Sequence, residues 1–211
     1  MGAPRQPTVH GWACEYLKRK YAKPGNVFVG IVSRLDRMTS GVLVLARTSK
    51  AAGRLSAQFR TTAIEKRYLA VVEGDWPEEK TGRLVDWIWK DQSAHRMRCR
   101  CTPMAGAQEA ILSARSLQRL AGRTLMSVRL ETGRKHQIRA QFSSRGHAVW
   151  GDQKYGATSR FCSGIALHAW RLTLQHPTLR TKMTFSVAPP THWASLGFAL
   201  HRLDKLHDLP D

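Results

Sequence analysis

Acidic residues are scarce in this chain: 15 Asp and Glu stand against 34 Lys and Arg, a formal charge of +19. That imbalance exceeds what solubility requires and is typical of proteins that meet a polyanion, so nucleic acid is the leading partner. A solvated cationic surface or an anionic lipid surface is the alternative, but no basic amphipathic helix with a broad apolar face argues for lipid. Long apolar runs are missing too, since nothing approaches the roughly 18 residues of a membrane span. The N-terminal MGAPRQPTV lacks the apolar stretch of a secretory signal, and Gln6 stands where a myristoylation motif needs Ser or Thr. No membrane partner is expected. Cysteine is sparse and scattered, at Cys14, Cys99, Cys101 and Cys162, and the one close pair is C-R-C rather than C-x-x-C. The histidines are dispersed, without H-E-x-x-H or an i, i+4 pair. These patterns disfavour a structural metal or a dithiol redox site and point to a reducing compartment: the cytosol is expected, with an organelle as the alternative.

What is present alternates between element types without an internal repeat. VLVLA (42–46) has the short β-branched character of a fully buried strand, and TSKAAGRLSAQF (48–59) follows with Leu55 and Phe59 four apart, a helix signal. YLAVVEG (68–74) predicts another buried strand. Further strands are expected over 82–89, 107–114, 124–131, 166–174 and 182–187. In TLMSVRLE, Met126, Val128 and Leu130 share one face, while Leu125, Ser127, Arg129 and Glu131 share the other, which predicts a half-exposed strand. Helices are expected over 10–21, 48–60, 135–145 and 192–207. Strands outnumber helices and do not alternate strictly with them, so the fold class is α+β, a largely antiparallel mixed β-sheet with flanking helices. The 211 residues suit one large or two small domains; no linker is visible, and a single domain over 1–211 is expected.

Three segments carry potential chemistry. In SRLDRMTSG (33–41) the carboxylate of Asp36 stands between Arg34 and Arg37, ahead of Thr39, Ser40 and Gly41, whose side chains and backbone suit a tight polar turn. A loop entering a rigid strand suits a reactive group, although a surface ion pair would leave the same letters. In EKRYLAVVEG (65–74), Tyr68 begins an aliphatic strand and offers a flat ring and one hydroxyl, or simply fills a core. In ETGRKHQIRAQFSSRGHAVWGDQKYGA (131–157), a helix beginning near Arg134 puts Ile138 and Phe142 on a buried face, with His136 and Arg139 on a neighbouring stripe. Free N–H groups at that helix start, with Arg134 and Lys135, suit an anion, and a solvated basic helix is the alternative.

Taken together, "SRLDRMTSGVLVLA", "EKRYLAVVEG", "TGRKHQIRAQFSSRGHAVWGDQKYG" and "ALHAWRLTLQHP" resemble, in order and spacing, the motifs of RluA-type pseudouridine synthases over roughly residues 30–190. The family pattern H-R-L-D-x-x-T-S-G is matched by Arg34, Leu35, Asp36, Thr39, Ser40 and Gly41, with Ser33 in place of the histidine. The resemblance implies a pseudouridine synthase-like fold and an isomerase that breaks the N-glycosidic bond of a uridine in RNA, turns the base and rejoins it through carbon. It makes Asp36 the catalytic aspartate and Arg139 its partner. Tyr68 packs on the base and assists proton removal, and Leu167 lines the pocket. Arg34, Thr39, Arg134, Lys135 and His136 complete the expected substrate-binding set. A carboxylate suits attack on the sugar or abstraction of its C2′ proton, and an arginine partner keeps the acid ionised. A paired uridine must leave its stack, and Arg34 then fills the vacated space or holds a phosphate. No cofactor and no metal are expected; the expected partner is RNA, whether rRNA, tRNA or mRNA, bound by a monomer.

Two features depart from the family. The N-K-P-x-G strand that usually precedes the aspartate motif is not seen, and neither is an S4-like RNA-binding domain, which leaves binding to the catalytic domain and its charge. A non-catalytic RNA-binding protein on the same scaffold is the rival reading, and an acid set among phosphate-binding groups argues against it. A second RLD copy, HRLDK at 201–205, lacks the Thr-Ser-Gly turn and is read as a terminal amphipathic helix with Asp204 on its wet face.

Overall fold

The computed structural model describes residues 8–61 and 63–200. Along the chain come α1 (Val9–Lys20), β1 (Gly30–Ile31), β2 (Ser40–Gly41), β3 (Leu45–Ala46), α2 (Ser49–Arg60), β4 (Glu65–Glu73), β5 (Gly82–Asp91), β6 (Arg96–Arg100), β7 (Gln108–Leu120), β8 (Arg123–Leu130), α3 (Gln137–Ser143), β9 (Leu167–Gln175) and β10 (Lys182–Ser186). Short 3-10 turns occupy Glu78–Lys80, Gln153–Tyr155 and Thr191–Leu196. The chain divides into two compact units, one built from residues 8–34, 43–64 and 174–183, the other from 35–42, 65–173 and 184–200.

In the first unit both helices start where a threonine hydroxyl satisfies a free backbone N–H. Thr8 Oγ1 accepts from Gly11 N at 3.0 Å before α1, and Thr48 Oγ1 from Ala51 N at 3.1 Å before α2. Strands β1 and β3 pair antiparallel, Gly30 opposite Ala46. Gly30 lies so close to α2 that a Cβ there would come within 2.7 Å of the Ala52 methyl. Gln58 closes the unit by bonding the Gln175 backbone twice, Nε2 to O and Oε1 from N, each at 2.9 Å.

The second unit is α+β. Strands β4 to β10 form a sheet in the order β10-β9-β4-β8-β7-β5-β6, and β2 adds to β9 in parallel while the neighbouring pairs β9-β4-β8-β7-β5-β6 are antiparallel. Both faces of β4 are buried, as its continuous aliphatic run requires. Ala70 and Val72 join Met126, Val128, Phe142 and Leu167 in one core, and Leu69 and Val71 join Leu125, Trp170, Trp193 and Leu196 in another. In β8 the expected alternation holds from Met126 to Glu131, with Met126, Val128 and Leu130 buried and Ser127, Arg129 and Glu131 half-buried, but Leu125, expected on the wet face, is fully buried because the Thr191–Leu196 turn covers it.

Other expectations change for local reasons. VLVLA is not a fully buried strand: only Leu45–Ala46 pair, and Val42, Leu43 and Val44 are half-buried. The helix expected over 192–207 is a 3-10 turn ended by Gly197 in the left-handed region, and its remaining part, with HRLDK and Asp204, lies outside the described residues. Strand β6, RMRCR, pairs only with β5 at the sheet edge and has too little apolar content to signal itself.

Gly41 fixes the Asp36 loop to the sheet. Its φ is 119°, and a Cβ would lie 2.3 Å from the Ala169 carbonyl oxygen. Backbone against backbone cannot yield cheaply. Gly41→Ala is expected to lower stability by about 1–3 kcal/mol, a fall of roughly 3–10 °C in the thermal midpoint, read by calorimetry.

Candidate active site

Asp36 sits in a turn closed by the Thr39 N–H, which donates to the Asp36 carbonyl at 2.8 Å. The turn is anchored by β9 rather than by the strand expected after it. Val42 N donates to Ala169 O at 2.9 Å, Ile165 N to Met38 O at 3.3 Å, and Ser40 Oγ lies 2.8 Å from His168 Nδ1. His168 Nε2 faces the Val187 carbonyl at 2.9 Å and so carries the proton, which leaves Nδ1 to accept from Ser40. Burial lowers the His168 pKa, outweighing that carbonyl bond, and favours this neutral form.

Tyr68 occupies an irregularity in β4. Arg67 pairs with Arg171 but Leu69 pairs with His168, so β9 spends one extra residue opposite Tyr68. Such bulges re-aim side chains, and the same stretch of β9 supplies the Ala169 backbone that holds the Asp36 turn. The ring packs on the core that contains Leu167, itself 3% exposed. Burial, reinforced by the negative charge of Asp36, pushes the Tyr68 hydroxyl up to about 12, so the phenol keeps its proton at neutral pH.

Arg139 is the centre of the cluster. Its Nε and Nη2 grip Asp152 at 2.6 and 2.8 Å, and its Nη1 donates to Asp36 Oδ2 at 3.1 Å. The guanidinium carbon lies 4.7 Å from the Tyr155 ring centroid. Burial opposes the charge of Arg139, but the bonds and charges of Asp152 and then Asp36 outweigh it and raise its pKa. The two carboxylates differ in access. The Asp152 side chain is 2% exposed and serves the arginine, whereas Asp36 is 24% exposed and can meet a ligand.

His136 faces the free oxygen of that acid, with Nε2 3.8 Å from Asp36 Oδ1, beyond hydrogen-bond range. Its Nδ1 lies 2.8 Å from the Tyr155 hydroxyl, which accepts from Met97 N at 3.0 Å. Burial, with smaller help from the charges of Asp152 and Asp36, raises the Tyr155 pKa relative to an ordinary phenol despite the Met97 bond and the Arg139 charge; with its proton kept, Tyr155 donates to Nδ1 and Nε2 carries the imidazole proton toward Asp36. Burial also lowers the His136 pKa, helped by Arg139, Lys135 and Lys154 and opposed by Asp36.

The remaining expected residues divide. Thr39 Oγ1 is buried without a hydrogen-bond partner among the described residues. Arg134 and Lys135 do not open a helix: His136 takes a left-handed conformation, φ 53°, and α3 starts at Gln137. The Arg134 N–H is consumed by Gln137 Oε1 at 3.0 Å and its Nε by the Glu109 carbonyl at 2.8 Å, so no free helix start is offered to an anion there. Lys135 is exposed, and Arg34 is exposed within the first unit. Asp152, Tyr155 and His168 escape sequence reasoning. Asp152 leaves one faint signal, an acid alone in an otherwise cationic stretch from Arg134 to Lys154. Among the described residues no group of three or more His, Cys, Asp or Glu is placed to hold a metal ion, and no helix is long and apolar enough to cross a membrane.

The family described as RNA pseudouridylate synthase matches residues 2–144. "Ribosomal large subunit pseudouridine synthase D" of Zymomonas mobilis is 34% identical over 170 residues, 76% of this chain and 53% of that protein. The protein of the same name from Nitrosomonas europaea is 36% identical over 183 residues, 82% of this chain and 52% of its own. The chain thus spans about half the length of the curated relatives it matches. Among solved structures, human RNA Pseudouridylate Synthase Domain Containing 4 superposes with a TM-score of 0.69 at 22% identity, covering 92% of this chain and 82% of that one, a likeness of fold.

Two measurements test the cluster. Asp152→Asn takes from the buried Arg139 its bidentate counter-charge, leaves it only Asp36, and is expected to cost about 2–3 kcal/mol of unfolding free energy in urea. His136 and His168 both have lowered pKa values in the folded chain. The unfolded chain therefore binds more protons around its ordinary value of about 6.5; their contribution is fully present above that pH and is lost as the pH falls through the lower folded values. Unfolding free energy should fall from about pH 7 to pH 5, and His168→Asn should flatten the profile.

Proposed function

Because the chain belongs to the RNA pseudouridylate synthase family, we propose that it isomerises uridine to pseudouridine in RNA at Asp36. One observation carries the reading: a partly exposed carboxylate has one oxygen held by a buried arginine and its other oxygen unbonded among the described residues, near a neutral phenol. The N1–C1′ bond breaks, the base turns, C5 bonds to C1′, the C5 proton leaves to solvent, and N1, freed of the sugar, takes up a proton in exchange. The balance needs no co-reactant. Asp36 acts as nucleophile at the sugar or as base toward C2′–H, and a slowed reaction with deuterium at C2′ is expected only for the second. Arg139, committed to Asp152, orients the acid without swinging to the ligand.

The Tyr68 ring stacks on the base against the wall that includes Leu167, while Thr39 Oγ1 and the His136 Nε2–H offer polar contacts. The target uridine is flipped from its stack, and Arg34 fills the gap or holds a phosphate, with Lys135 and the outer guanidinium nitrogens of Arg134 on the backbone. The names of the bacterial relatives make large-subunit ribosomal RNA the first substrate to test.

With RNA labelled by tritium at uridine C5, Asp36→Asn should lower release by roughly 1,000-fold or more while binding is kept. Asp204→Asn should release tritium normally. Substantial release by the Asp36 variant would overturn the assignment. Binding should also weaken steeply with salt, because the +19 charge makes phosphate contacts dominant.

A further inference from the structure

The first unit holds a surface that the proposed chemistry does not use. Helix α1 buries only Ala13 and turns outward two aromatic side chains four residues apart. Trp12 is 60% exposed and Tyr16 39%, and their rings stack on each other with centroids 5.3 Å apart and planes 11° from parallel. Cations continue the row. Lys20 Nζ donates to the Tyr16 hydroxyl at 3.0 Å and lies 5.8 Å from the centre of the Tyr21 ring. The Arg47 guanidinium covers that same ring at 4.3 Å and donates to its hydroxyl at 2.9 Å.

We propose that this aromatic and cationic row on α1 is a second binding surface, specific for unpaired RNA. An exposed, pre-stacked Trp–Tyr pair presents a flat outer face on which a base continues the stack, at little ordering cost because the rings already hold each other. The electrostatics select the occupant. Across this unit's segments 8–34, 43–64 and 174–183, Glu15 is the only acidic residue, against eleven Lys and Arg. Lys18, Arg19, Lys20, Lys23 and Arg47, all exposed, give a backbone phosphate a counter-charge beside the rings. An apolar protein partner would use the rings but gains nothing from a face almost free of acids. The mode is sequence-tolerant, since every base has a π-face. The inference is independent of the isomerase reading.

The test uses the full chain and a fluorescent oligoadenylate of about 12 nucleotides, a length suited to single-strand sites. This probe has no uridine to engage Asp36. Trp12→Ala is expected to weaken binding by roughly tenfold or more, Trp12→Phe to keep most of it, and Lys20→Gln to lower the slope of log affinity against log salt by about one. Asp36→Asn should bind oligoadenylate like the parent, so failure of the catalytic reading and failure of this one are separable. Unchanged affinity in Trp12→Ala, confirmed as folded by its circular dichroism, would overturn the proposal. So would a chain that sediments as a dimer and becomes monomeric in Trp12→Ala, which would make the row a contact between copies.

Discussion

A single buried guanidinium organises the candidate site. Arg139 has three nitrogens engaged, two on Asp152 and one on Asp36, and its face lies against Tyr155. Burying such a charge is tolerable only because its partners come from rigid positions: α3 presents the arginine, and the short turn after Val149 presents Asp152. With the bidentate grip supplied by Asp152, the third bond is left to set the orientation of Asp36. Geometry comes from the acid that stays dry, and the proposed reaction falls to the acid that stays partly wet.

The loop that carries Asp36 depends on β9 to a degree that its own sequence does not suggest. Nothing in SRLDRMTSG shows that Ser40 meets His168, 128 residues later, or that Gly41 exists to let its backbone touch Ala169. The same strand carries Leu167 and the irregularity opposite Tyr68. Strand β9 thus sets Asp36, Tyr68 and the apolar wall against one another, while α3 adds the cation from the other end of the cluster. Buried histidine does the joining, bonded at both ring nitrogens and kept neutral by its burial against the pull of the Val187 carbonyl.

How much of this was legible follows from the kind of signal each element leaves. Strands β4, β5, β7, β8 and β9 announce themselves through aliphatic and β-branched runs, and α2 through the four-residue spacing of Leu55 and Phe59. Strand β6 is an edge strand of RMRCR, whose partners lie on one side only, so no hydrophobic alternation is required of it. VLVLA misleads because apolar content does not reveal that the backbone at Val42 is bonded to β9 and that only two residues of the run pair. Asp36, Tyr68 and Arg139 were legible through motif order. The ion pair of Arg139 with Asp36 was expected from resemblance, and the stronger fork to Asp152 was not, because nothing local distinguishes a buried counter-ion from a surface acid. The length of α3 was overread for a similar reason: the left-handed turn at His136 is a tertiary choice, stabilised by Tyr155 and by the Gln137 side chain that takes the Arg134 N–H.

The extra residue of β9 bears on how this scaffold tolerates inherited change. Substitutions near Tyr68 alter one contact at a time, but losing a single codon between His168 and Arg171 would erase the bulge, with Leu69 still opposite His168 and Arg67 still opposite Arg171. Were the bulge kept instead, one flank would slide by a residue and its inward and outward side chains would exchange places, since strand faces alternate residue by residue. Leu167 and the Ala169 carbonyl could not then both face their present partners. For this architecture, insertions and deletions that keep the reading frame in that short stretch disturb more contacts at once than a substitution there, because the count of residues, and not only their identity, places the Ala169 backbone against Gly41.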